Sequence, residues 1–146
     1  YSDYLRNFRI SNNCGRSNMK SPELEKILED HSLWLRTDGK EGTRLDLTGA
    51  DLTRADLSKA NLSWDNLYRA KLFEANLLLA DLTHTDLAGG SLNEAILRNV
   101  SFVNAYAPRG DFSSALISDI NLSGANLSGA DLTGARMPQG TVGQNN

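Results

Sequence analysis

The chain has 146 residues, 40% of them hydrophobic and 23% charged, with a net charge of -3. That is one domain's worth of interior, without the basic surface that nucleic acid requires. No apolar run reaches the ~18 residues of a membrane span, and the one cysteine, Cys14, excludes an internal disulfide framework or a cysteine-built zinc site. The first residue is Tyr1 and no signal peptide is read in this chain, so the compartment stays open; the lone thiol slightly favours the cytoplasm over periplasm or thylakoid lumen.

Residues 1–20 come first. Tyr4, Leu5, Phe8 and Ile10 form a small apolar set beside Arg6 and Arg9, and Asn12 to Asn18 reads as loop. The expectation is an arm packed on the outside of the repeat region. Ser21, Pro22 and Glu23 then supply an N-cap, a proline at the first helical position and an acidic first turn. Leu24, Ile27, Leu28, His31, Trp34 and Leu35 recur at helical spacing, and Gly39 is a natural stop. The spacing predicts a helix within 21–39, laid as a lid over the segment beginning at Leu45. A separate partner-binding helix is the alternative.

From Leu45 to Gln139 the chain divides without insertion into 19 units of five residues. The third residue of each unit, its centre, is large and apolar in 18 of the 19: Leu47, Leu52, Leu57 and onward, with Phe102, Phe112, Ile117 and Met137 among the later ones. Two positions earlier, 12 of the 19 residues are Ala, and between the two lies mostly Asp or Asn. A helix turns five residues through a net ~140°, which would scatter the leucines around every side. A flat strand would send successive leucines to opposite faces. A chain that turns a corner once per unit resolves both problems, because each centre and the small residue two before it then point to a common axis.

The departures from Ala at the small inner position suggest the size of a coil. Leu45, Asp65 and Thr85 are spaced by 20 residues, as are Gly90 and Gly110, and Val100 and Ile120. Compensation between neighbouring coils at that step implies four units per coil, a square tube. Nineteen units then make about 4.75 coils, roughly 23 Å long at ~4.8 Å per coil. The last residues, 140–146, form a short polar tail after Met137 and Pro138.

The units Ala50-Asp51-Leu52-Thr53-Arg54, Ala60-Asn61-Leu62-Ser63-Trp64 and Ala130-Asp131-Leu132-Thr133-Gly134 resemble the A(D/N)LXX signature of the pentapeptide-repeat family. The match covers about two thirds of the chain. The resemblance implies an all-β solenoid, a right-handed quadrilateral β-helix, here with an N-terminal α-helical cap as in some cyanobacterial members. It also implies a protein without known catalysis, and it brings a specific alternative: a DNA mimic acting on DNA gyrase.

Four residues break the polar outer wall. Leu78, Leu79, Ile96 and Leu116 belong to units whose centres differ by 20, so they face out on one side as a candidate interaction patch. Cover by residues 1–20 is the bland expectation, and a dimer or partner surface the functional one. Asp65 occupies an inward position, and Thr85, one coil on, is the expected hydroxyl partner of a buried polar pair. Trp64 and His84 are outer residues one coil apart, placed to stack. Ala107 is the one small centre, where the tube should be underfilled or kinked unless Tyr106 or neighbouring side chains fill it.

No catalytic, cofactor-binding or metal-binding set is predicted. With only two histidines, His31 and His84, no metal or acid–base cluster assembles, and the many Asp and Asn residues follow from the repeat. No GxSxG, HExxH, P-loop or Rossmann fingerprint occurs. The expected role is a non-enzymatic protein-interaction or scaffold module with an unknown protein partner, no nucleic acid and no membrane, as a monomer or weak dimer. The DNA-mimic alternative is disfavoured. The repeat carries 11 acidic and 7 basic residues, it is short, and it has no C-terminal dimerisation helix.

Overall fold

The structure, a computed structural model, describes residues 22–136. It opens with α1 (Pro22–Arg36), whose first turn carries Glu23 and Glu25 and whose last turn carries Arg36, both favourable to the helix dipole. The helix ends earlier than residue 39. Gly39 N donates to Trp34 O at 2.8 Å and Asp38 N to Leu35 O at 3.4 Å, the two bonds of a Schellman cap. The left-handed residue in that cap is Asp38, with φ 57°, and Gly39 follows it. The chain then crosses back under the helix. A Cβ on Gly42 would stand 2.3 Å from Asp30 O, so only glycine fits this crossing.

From Leu45 the backbone coils. Every bridge among the described residues joins residue i to residue i+20 in parallel, from Asp46 with Asn66 to Leu116 with Arg136. Five residues per side and four sides per coil are therefore what the backbone adopts. Each side has only about three extended residues between corners, so few qualify as strands. The two that do, β1 (Ile96–Arg98) and β2 (Leu116–Ser118), pair in parallel with Ile96 opposite Leu116.

The corners have one geometry. The residue after a unit's end donates back to the unit's centre, as Ala50 N does to Leu47 O at 2.9 Å and Ala55 N to Leu52 O at 3.0 Å. The residue just before that donor has positive φ, the mark of a type II turn. Thirteen of the eighteen corner residues between Gly49 and Gly134 are not glycine, among them Lys59 at 62° and Trp64 at 65°. A side chain there costs on the order of 1 kcal/mol. Inter-coil bonds hold the corner against that cost: Lys59 N donates to Leu78 O at 2.8 Å.

The outward Asp and Asn residues belong to this corner as well. Asp56 Oδ1 accepts from Ser58 N at 3.0 Å and from Ser58 Oγ at 2.6 Å. Asn61 and Ser63 repeat the pattern, as do Asp111 and Ser113. These are Asx turns, so the polar half of the repeat shapes each bend as well as facing water. At Asp131 the bonds from Thr133 hold the carboxyl below the ordinary range.

Inside, the leucine centres from Leu47 to Leu97 are fully buried, with alanines packed between them. The irregular centre Ala107 is also fully buried, and Tyr106 does not fill its space, being 50% exposed. Phe102 and Phe112, the centres on either side of it, meet edge to face at 6.0 Å and supply the missing volume. Gly110 accommodates them: a Cβ there would lie 2.8 Å from the Phe112 ring. The expectations for the arm at 1–20 and the tail at 140–146 fall outside the described residues.

Candidate interaction surfaces

The apolar patch lies on one side of the square. Bridges stack Asn76 on Ile96, Ile96 on Leu116 and Leu116 on Arg136. Leu78 lies on the same side beside Asn76, whose Oδ1 accepts from Leu78 N at 3.1 Å. Leu78, Ile96 and Leu116 are half-buried, while Leu79, at the corner, is 49% exposed. The structure thus brings all four predicted residues to one side. On the next side, the ladder position held by Asp51, Lys71, Ser91, Asp111 and Asp131 is polar throughout.

The opposite side of the square, half a coil away, carries a different surface. Tyr68 and Arg69 form one bank of a cleft of about 380 Å³, Tyr106 and Arg109 the other, and Ala88 and Gly89 lie between. Small residues one coil apart from large ones create the depression. Tyr68 is 42% exposed, with the Arg69 guanidinium 5.5 Å from its ring centroid. Tyrosine and arginine are the residue types that protein interfaces favour. Sequence reasoning missed this cleft, because its banks and floor come from three different coils.

The predicted Asp65–Thr85 pair does not form. Both residues are buried inside the tube as expected, but the Thr85 hydroxyl donates to Leu62 O at 2.9 Å. A hydroxyl has one proton to give, and a backbone carbonyl takes it. The partner of Asp65 is His31 of α1, whose Nε2 lies 3.0 Å from Asp65 Oδ1, with both side chains fully enclosed. Leu45 N donates to His31 Nδ1 at 3.3 Å, which assigns the ring proton to Nε2. That proton is directed to Ser63 O, 3.3 Å away, while Asp65 lies beside it in close contact. Neither Asp65 oxygen has a hydrogen bond of full geometry. Burial pushes the Asp65 carboxyl up to about 7, against the opposing pull of His31 and Arg44. The signal for this pair was present: His31 is the polar member of the apolar helix face, and Asp65 the acidic residue at an inner position.

The outer stack is as predicted. The Trp64 and His84 rings lie 4.0 Å apart and 13° from parallel. Below them His84 Nε2 is 3.4 Å from Asn104 Nδ2, and above them Arg44 Nε donates to Trp64 O at 2.9 Å. Among the described residues no three His, Cys, Asp or Glu side chains gather as a metal ion requires, and no helix is long and apolar enough to cross a membrane.

A sequence model described as Pentapeptide repeats matches the chain in 8 copies, over residues 43–72, 66–102, 75–113 and 109–139. The chain belongs to the pentapeptide-repeat family. Its tube is therefore the right-handed quadrilateral β-helix of that family. It is similar to the crystal structure of a pentapeptide repeat protein, Rfr23, from the cyanobacterium Cyanothece 51142. That match is 30% identical, spans 71% of this chain and 67% of the other, and has a TM-score of 0.61. It shares its fold with alr5209, a pentapeptide repeat protein from Nostoc Pcc 7120, at 24% identity over 83% of this chain and 90% of the other, with a TM-score of 0.53. The search of curated proteins found no match. Within this pentapeptide-repeat protein the leucine column and the Asx corners are common property of the repeat. The apolar side, the tyrosine–arginine cleft and the His31–Asp65 pair are departures from it.

Proposed function

We propose that this pentapeptide-repeat protein is a non-enzymatic interaction module that holds a protein partner against its flat sides. The observation that carries this reading is the aliphatic row Leu78, Leu79, Ile96 and Leu116, grouped on one side of the tube. Supporting it is a rigid scaffold: the interior is filled by side chains, so the tube presents surfaces and not an interior pocket. The tyrosine–arginine cleft on the opposite side adds groups that interfaces use. Gyrase-directed DNA mimicry is the weaker reading, because Arg54, Lys59, Arg69, Lys71, Arg98, Arg109 and Arg136 interrupt the acidic field.

The test is affinity capture from the native organism with the full chain. A variant carrying Leu78→Ser, Leu79→Ser, Ile96→Thr and Leu116→Thr serves as the control. A partner retained by the native chain and lost by the variant, at unchanged melting temperature, is the expected result. Equal capture by both removes the apolar side from the account, and inhibition of DNA supercoiling at low protein concentration would replace the reading with mimicry.

A further inference from the structure

The chain contains two tryptophans, and both line one cleft. Trp34 comes from the last turn of α1 and Trp64 from a corner of the first coil; Leu35, Asp38 and Gly39 complete the walls of a space of about 430 Å³. Each indole is braced by an imidazole. His31 stacks on Trp34 at 5.9 Å and 13°, and His84 on Trp64 at 4.0 Å and 13°. Trp64, with one face against His84, is still 51% exposed. Trp34 lies close over Gly39, where a Cβ would be 3.4 Å from the indole Nε1.

The charges at this cleft have one sign. Asp38 lines it, and α1 ends there, presenting the negative end of its dipole. Aromatic faces carry negative potential, and indole carries the most. Two indoles, a carboxylate and a helix C-terminus on one notch make a site for an organic cation. A bare metal ion is a poorer match, since Asp38 is the one carboxylate among the lining residues. Arg44 is tied to Trp64 O at 2.9 Å and does not line the cleft.

We propose that the Trp34–Trp64 cleft binds the trimethylammonium group, as a small solute or as the trimethylated lysine of a partner. This inference does not rest on the apolar side. A tetrahedral, weakly hydrated cation gains the open face of Trp64, the apolar wall that Trp34 supplies and the field of Asp38, without the desolvation cost of a primary ammonium.

The two tryptophans report the site directly. Intrinsic fluorescence of the full chain is titrated with choline chloride, with matched sodium chloride and with 3,3-dimethylbutan-1-ol, a neutral molecule of the same shape. Peptides bearing trimethyl-lysine or lysine form a second arm. A saturable change with choline, absent with the salt and with the neutral isostere, is the expected result. Asp38→Asn should weaken it about fivefold or more, and asparagine suits the left-handed cap as well as aspartate does. Trp64→Leu, a residue that the fold already carries at the corner of Leu79, should abolish the saturable response while Trp34 still fluoresces. Tighter binding of the trimethyl-lysine peptide than of choline assigns the cation to a protein; the reverse assigns it to a solute. If choline and the trimethyl-lysine peptide act no differently from salt or from the neutral isostere, the proposal is wrong.

Discussion

The first and the last described coils are built from the same repeat and are packed in different ways. At the first coil α1 lies over the opening, Leu24 and Leu45 are buried, and His31 reaches inward to Asp65. At the last described coil Leu122 and Leu127 are only half-buried, and Leu132 is 41% exposed. The corners differ as well. Those from Arg54 to His84 are all non-glycine, while Gly124, Gly129 and Gly134 occupy the last three. Gly49 and Gly89 interrupt the run, but where an inter-coil bond holds the corner N–H, as from Arg54 to His84, the chain can carry side chains in left-handed corners. Where fewer bonds hold it, glycine removes the strain. The repeat therefore sets the path of the chain, and the contacts above and below each coil set its stability.

The largest expected effect is at the closed end. His31→Ala leaves Asp65 buried without its partner and should lower stability by about 3–5 kcal/mol in urea unfolding. Leu132→Ala in the last described coil should cost less than about 1 kcal/mol, because much of that side chain already meets water. Equal losses at the two places would break the comparison.

The pH dependence sharpens it. The folded state raises Asp65 from 3.8 to about 7, so it holds a proton that the unfolded chain releases. The stability from this group is therefore full below about pH 4, is lost as pH rises to about 7, and is flat above. Subtracting the melting-temperature profile of Asp65→Ala from that of the native chain isolates the group. A difference that grows with pH instead of falling would contradict a carboxyl whose burial outweighs the pull of His31 and Arg44. The alanine variant also restores the residue that most units carry at that position.

Smaller effects belong to the corners. Lys59→Gly should stabilise by up to about 1 kcal/mol, relief of left-handed strain being partly offset by greater freedom of the unfolded chain. Gly49→Ala, with nothing within 4 Å of the added Cβ, should cost about 1 kcal/mol through backbone strain alone. Gly124→Ala should cost at least as much, since the Asn104 side chain, whose Oδ1 would stand 2.1 Å from the new Cβ, must also turn aside. Thermal melts rank the three, and a gain at Gly124 would argue against the corner geometry.

Much of this was legible in the residues. A period of five with one apolar column admits few backbones, and the 20-residue spacing of Leu45, Asp65 and Thr85 pointed to four sides. The lid was legible from the helical spacing of Leu24, Ile27 and Leu28. The partners of buried polar groups were not. Thr85 found Leu62 O, and Asp65 found a histidine 34 positions earlier, on an element outside the repeat. A period specifies what stacks on what within the tube, but it says nothing about how a helix is seated across its mouth. The two clefts escaped for the same reason: each is lined by residues from separate coils or from the helix and a corner.

The 20-residue coil is best tested by cross-linking on one polar side. With Cys14→Ser as background, Lys71→Cys is paired with Ser91→Cys, its bridge partner, or with Asp86→Cys, 15 residues on. Bridge partners lie within the ~4.4–6.8 Å Cα range of a disulfide. Rapid oxidation to an intramolecular disulfide in the Lys71–Ser91 pair, with none in the Lys71–Asp86 pair, is the predicted result, and the opposite preference would contradict the square coil.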